Sequence, residues 1–111
     1  MNWILLQDEK QLNEIVSNSN NVPQVIFKHS TRCGISSMTK SKLDKKEAPK
    51  GINFYLLDLI RFRSISDKIA TDFGISHQSP QVLVINKGKC IFNESHYGIS
   101  FDDIQAAIMQ E

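Results

Sequence analysis

Val25-Ile26-Phe27 are three consecutive apolar residues within the segment Gln24-Val25-Ile26-Phe27-Lys28, and no other stretch limits the fold as strongly. A strand with one face in water alternates apolar and polar residues, whereas a strand covered on both faces reads as a nearly unbroken apolar run. The run therefore predicts a central strand with helices above and below its sheet. Residues 52–60, with Phe54, Tyr55 and Leu56, predict another strand of the same kind.

Turn and cap residues place the remaining elements around these two. Residues 3–6 predict a short first strand. Asp8-Glu9-Lys10-Gln11 has the form of a capping box that opens a helix with Leu12, Ile15 and Val16 on one face, and Ser17-Asn18-Ser19-Asn20-Asn21 stops it. A second helix is expected from Ser36 to about Glu47, with Ile35, Met38 and Leu43 as its core contacts and Pro49 and Gly51 as its end. Ser64-Ile65-Ser66-Asp67 predicts the cap of a third helix that buries Ile65, Ile69, Ala70 and Phe73 and stops at Gly74. Residues 81–85 and 89–92, separated by Asn86-Lys87-Gly88, carry a hairpin signal, and Ser100-Phe101-Asp102-Asp103 caps a last helix with Phe101, Ile104, Ala107 and Ile108 along one side. The order β-α-β-α-β-α-β-β-α describes an α/β fold, a mixed sheet flanked by helices on both faces. At 111 residues and 41% hydrophobic content, a single domain over residues 1–111 is expected.

The central strand runs into Ser30-Thr31-Arg32-Cys33-Gly34-Ile35-Ser36, a polar loop with a cysteine where a helix is due to start. The first turn of a helix offers unpaired backbone N–H groups and the positive end of the macrodipole, and both favour thiolate over thiol. Arg32 adds a fixed positive charge beside Cys33. The competing reading is a small cysteine packed at a strand end; the Ser, Thr, Arg and Gly around it argue instead for an accessible loop. The position three residues on is Ser36, not a second cysteine, so a mixed disulfide at Cys33 has no internal thiol to resolve it and needs an outside one. Ser36 is expected to cap or hydrogen-bond the helix start and the Cys33 thiolate. Cys90 lies in an apolar strand and reads as a core or edge residue.

Other classes find less support. A formal net charge of +1 gives no general attraction to nucleic acid. The lysines 40, 42, 45, 46 and 50 offer either an attraction for an anionic thiol or acidic protein, or a solvated helix face; Asp44 and Glu47 among them favour the second. Met1 to Asp8 has no basic n-region and only a four-residue apolar run, too short for a signal peptide or a membrane span, so a cytoplasmic protein without membrane attachment is expected. Two cysteines in a reducing compartment do not suggest a structural disulfide. No Cys/His grouping has zinc-ligand spacing, and His29, His77 and His96 are scattered, so no metal is expected. Asp58 near a strand end reads as exposed, with a general-base role as the alternative.

Over almost its whole length the chain resembles the thioredoxin superfamily, with Cys33 at the place of the redox cysteine and Ser79-Pro80 at the cis-proline loop. Phe27-Lys28-His29-Ser30-Thr31-Arg32-Cys33-Gly34-Ile35-Ser36 and Ser76-His77-Gln78-Ser79-Pro80-Gln81 are similar to the monothiol bacilliredoxin family, general stress proteins of the bacillithiol system. The resemblance implies a cis Ser79-Pro80 bond facing Cys33, and removal of bacillithiol from S-thiolated client proteins through a mixed disulfide on Cys33. Arg32, Gly34 and Ser36 would support the thiol, and Thr31, His77, Ser79 and Pro80 would bind substrate. His77 would donate to a bound thiolate or hold its loop. No tightly bound cofactor is expected; the low-molecular-weight thiol is a co-substrate and the chain a monomer. Gly34 stands where many relatives carry proline, giving Cys-Gly-Ile-Ser, close to the Cys-Gly-Phe-Ser of monothiol glutaredoxins. A glutaredoxin-like iron–sulfur cluster carrier is therefore the second reading, although residues 93–100 lack the Gly-Gly-x-Asp pattern those proteins use for glutathione. A catalytically silent thioredoxin-fold binding module is the third.

Overall fold

A computed structural model describes residues 1–110. Five strands, β1 (Trp3–Leu5), β2 (Gln24–His29), β3 (Phe54–Asp58), β4 (Gln81–Asn86) and β5 (Lys89–Ser95), form one sheet in the order β1-β3-β2-β4-β5. β1 and β2 each run parallel to β3, whereas β4 runs antiparallel to both β2 and β5. β2 is thus central, and every one of its residues is buried, as its apolar run predicts. The helices are α1 (Glu9–Asn18), α2 (Gly34–Asp44), α3 (Arg63–Phe73) and α4 (Phe101–Ile108), with a single 3₁₀ turn at His96–Gly98.

Side chains alternate across β2 and so divide the core in two. Ile26 packs with Leu12 and Ile15 of α1 and Ile65 and Ile69 of α3 on one face. Val25 and Phe27 pack with Leu43 of α2 and Ile104, Ala107 and Ile108 of α4 on the other. Period-2 strands between period-3.6 helices require this division, and the mixed α/β sheet expected from the sequence is what forms.

Several local expectations are corrected. α2 begins at Gly34, two residues before the expected start, and ends at Asp44, well before Pro49 and Gly51. Its buried residues are Ser36, Thr39 and Leu43, whereas Met38 is exposed and Ile35 only half-buried. The helix turns a small polar stripe towards the sheet because the strand ends it covers present His29 and Ser30, which need polar partners. α3 begins at Arg63 with Phe62 in the cap position, and no side chain caps it. Asp58 Oδ1 instead accepts the N–H groups of Ile60 and Arg61 at 3.1 and 3.3 Å, which fixes the approach to the helix and gives this carboxylate a structural task. At α1, Asp8 does cap Gln11 N–H, but Gln11 returns its side-chain oxygen to Gln7 N–H. Gly74 ends α3 in the left-handed region at φ +66°, where a Cβ is disfavoured.

Candidate active site around Cys33

Cys33 occupies the cap position of α2 with an extended backbone (φ −111°, ψ 121°) and makes no side-chain capping bond. Its N–H donates to Ser30 O at 3.2 Å, and its carbonyl accepts Ser37 N–H at 3.0 Å, so the loop turns tightly and delivers the cysteine to the first helical turn. The thiol is free and half-buried. Helix N-terminal N–H groups left without intrahelical partners lie beside it, and these favour negative charge. Arg32 and Thr31 are exposed in the loop.

Ser36 has a different task from the expected one. It is fully buried. Its Oγ accepts Ser30 N–H at 3.0 Å and meets His29 Nδ1 at 2.6 Å. It does not cap the helix; it ties the first turn of α2 to the end of the central strand. Burial, reinforced by the Lys40 charge and opposed by Asp58 and Asp44, holds the His29 pKa below its usual value, so the ring is neutral at pH 7. A neutral ring with Nδ1 as acceptor takes the Ser36 hydroxyl proton while Ser36 takes the Ser30 N–H, which satisfies all three groups.

On the β4 side of the central strand, the Ser79-Pro80 bond is cis. Gln81 Nε2 donates to Ser76 O at 3.0 Å and His96 N–H donates to Pro80 O at 3.0 Å, bracketing the loop. Ser79 Oγ is buried and has no hydrogen-bond partner among the described residues. His77 turns into the protein: its Nδ1 lies 3.4 Å from Lys28 Nζ and 3.3 Å from Ser66 Oγ. Burial, the Lys28 and Arg63 charges together outweigh Asp67 and lower its pKa. Of its two expected roles, these contacts serve holding the loop.

Lys28 carried no signal in the sequence beyond its place in an apolar run. Yet its side chain is fully buried on the α3 face, where Nζ donates to Ser66 O at 3.1 Å. Burial lowers its pKa to about 8, with Asp67 raising it and Arg63 lowering it further. A charged residue inside a strand expected to be covered on both faces was the available sign of such a cluster.

The candidate residues therefore divide. Thr31 faces the β3 side and lines a cavity there with His29 and Asp58. His77, Ser79 and Pro80 stand on the β4 side, and Cys33 follows the strand between them. The helix lysines divide as well: Lys40 lines the cavity with Thr31, whereas Lys42, Lys45 and Lys46 line a separate cavity of about 590 Å³ with Tyr97 and Phe101, whose walls include none of residues 30–36. Cys90 pairs with Ile85, which pairs with Gln24 at the start of β2. The length of β2, about 16 Å at 3.3 Å per residue, separates that end from the Cys33 end. An internal disulfide needs Cα atoms within about 7 Å and is out of reach. Burial raises the Cys90 pKa, and its Sγ donates to Phe92 O.

A five-stranded mixed sheet with a lone cysteine at the start of the helix after its central strand, and a cis-proline loop beside it, defines a thioredoxin-fold oxidoreductase of the one-cysteine type. The chain belongs to the monothiol bacilliredoxin BrxC family, whose model matches residues 4–104. Among solved structures it is similar to a candidate oxidoreductase with a thioredoxin fold, at 26% identity and a TM-score of 0.82 over 94% of this chain and 91% of that one. The fold is shared with thioredoxin of Malassezia sympodialis, at 19% identity, a TM-score of 0.74 and coverage of 98% and 90%. It is shared also with mitochondrial thioredoxin 3 of Saccharomyces cerevisiae, at 17% identity, 0.72, 96% and 92%. No helix is long and apolar enough to cross a membrane among the described residues.

Proposed function

We propose that the protein removes a low-molecular-weight thiol from S-thiolated client proteins by exchange at Cys33. The observation that carries this reading is the free Cys33 thiol in the cap position of α2, with Ser36 rather than a second thiol three residues on. The Cys33 thiolate attacks the sulfur of the small thiol in the client mixed disulfide. One S–S bond forms as another breaks, the client leaves as thiolate, and the small thiol passes to Cys33. An outside thiolate then attacks that disulfide and regenerates Cys33 with no net change in the protein's oxidation state. The family's name supports bacillithiol as the small thiol. Ser79, two residues before β4, whose first residue Gln81 pairs with Lys28 towards the Cys33 end of β2, offers main-chain groups to an extended client segment. One copy of the chain suffices, working in a reducing cytoplasm with the small thiol as co-substrate and no resident cofactor.

The test is incubation with an S-bacillithiolated protein followed by mass spectrometry. Cys33 is expected to gain the mass of bacillithiol as the client loses it. Cys33→Ala abolishes the transfer and Cys90→Ala leaves it near the wild-type rate. Equal loss from both variants, or a client that stays modified, would overturn the mechanism.

A further inference from the structure

The β3-side cavity next to the cysteine loop has about 290 Å³. It opens where β1, β3 and β2 end, and Thr31, two residues before Cys33, forms part of its wall. We propose that it is a client-specificity pocket, taking one large apolar side chain whose neighbour in the client is acidic. This rests on the exchange reaction proposed for Cys33 and names the client chemistry that favours it.

Three observations select that occupant. The cavity is at the small end of ligand pockets, which run from about 300 to 1,000 Å³, and so suits a side chain better than an enclosed small molecule. Its apolar walls come from Leu5, Leu6, Leu56 and Phe62. Leu5, which lines the cavity, is 53% exposed, so its apolar surface reaches the rim. Of the charged side chains that line it, Asp58 holds two backbone N–H groups with one oxygen and Lys40 is paired with Asp44, which leaves Arg61, whose guanidinium lies 5.2 Å from the centre of the Phe62 ring, without an ion pair among the described residues. That charge complements a client carboxylate beside the buried side chain.

Reach fits as well. In an extended client, two residues span about 7 Å, enough to pass from the sulfur facing Cys33 to a cavity walled by the second residue before it. The client would then be held on both flanks of the cysteine, by main chain at Ser79 and by side chain at the β3 side.

The test uses ten-residue peptides in which serine replaces the modified cysteine, so binding is read without any thiol chemistry. One set carries Leu-Glu two residues before or after that serine, and controls carry Gly-Glu or Leu-Lys. In ¹H–¹⁵N spectra of the wild-type protein, the Leu-Glu peptides are expected to shift the amides of Leu5, Gln7, Leu56, Arg61 and Phe62. Each control should bind about tenfold more weakly. Arg61→Glu, an exposed position, should reverse the preference between Leu-Glu and Leu-Lys, and Leu5→Lys should remove the advantage of leucine. With S-thiolated versions of the same peptides, Arg61→Glu should raise KM for the Leu-Glu substrate and leave kcat and iodoacetamide alkylation of Cys33 unchanged.

Peptides that bind alike, or a preference that Arg61→Glu leaves intact, would overturn the proposal. So would bacillithiol or glutathione shifting these amides while the peptides shift none of them. Selective binding of the serine peptides by a protein that fails to exchange thiols would sink the catalytic reading and leave the pocket standing.

Discussion

Ser36 accepts the Ser30 N–H and meets the neutral His29 ring, so the residue at the place of a resolving thiol is a structural pin beneath the reactive one. Ser36→Ala would leave a buried N–H and a buried ring nitrogen without partners, a cost of about 1–3 kcal/mol; urea denaturation measures it, and a loss within 0.3 kcal/mol of zero would mean that the pin is not needed. Gly34 invites the opposite substitution. It is the first helical residue, its position is not in the left-handed region, and a Cβ there would meet no atom within 4 Å. Cys33 before it is already extended, the conformation that a following proline demands. Proline is favoured at this first position because its missing N–H has no helical partner. Gly34→Pro is therefore expected to raise stability by about 0.4–1 kcal/mol and to keep Cys33 reactive, read by thermal denaturation and alkylation rate. The place of Cys33 at the start of a helix was legible from the sequence, because an apolar strand running into a polar loop carries it. The partner of Ser36 was not, since a contact seven residues back depends on how the strand end meets the helix.

At the scale of elements, the strands were legible and the helix ends less so. Continuous apolar runs have one good solution, but α2 has a low apolar content and its buried face of Ser36, Thr39 and Leu43 gives no hydrophobic period to follow. The α3 start was misplaced for a related reason: the residues resembling a cap lie inside the helix, while Asp58, five residues before Arg63, holds the N–H groups of the loop that leads into it. The β4–β5 hairpin shows how much a turn discloses. Lys87 and Gly88 both have positive φ, +52° and +76°, the two-residue arrangement that matches strand twist. Lys87 N–H and Gly88 N–H donate to Ser19 O and Ser19 Oγ, docking the turn on the end of α1. Glycine suits its position; lysine pays a steric penalty at its own. Lys87→Asn supplies the Asn-Gly pair such turns prefer and keeps the N–H that reaches Ser19. The expected gain is about 0.5 kcal/mol in chemical denaturation, with exchange activity unchanged because the turn lies at the far end of the sheet from Cys33. A loss of stability would show that the Lys87 side chain contributes more than its backbone strain costs.

Over the whole molecule, buried nitrogen bases set how stability follows pH. His29 and His77 both have pKa values lowered by burial. Above 6.5, their ordinary value, folded and unfolded chains both hold them neutral; as pH falls below it, the unfolded chain takes up protons that the folded chain resists, and stability declines. Lys28 acts in a second window. The unfolded chain keeps its proton up to 10.5, whereas the folded one releases it near 8, so stability climbs as pH rises between those values. No carboxylate pairs with Lys28 among the described residues, and the groups that bear on its charge are Asp67, Arg63 and His77. The ammonium is thus held by Ser66 O and His77 at a net desolvation cost. The unfolding free energy of the wild-type protein should rise by about 2–3 kcal/mol from pH 7 to pH 10 on this account alone. Lys28→Met, of similar length and without charge, should lose that rise and be at least as stable as wild type at pH 7, while keeping the decline below 6.5 that belongs to the histidines. Urea denaturation of both proteins at pH 5.5, 7 and 10 separates the two windows. An alkaline rise of the same size in Lys28→Met would place its source elsewhere, and a variant several kcal/mol less stable at pH 7 would mean that the Lys28 bonds to Ser66 and His77 outweigh its burial.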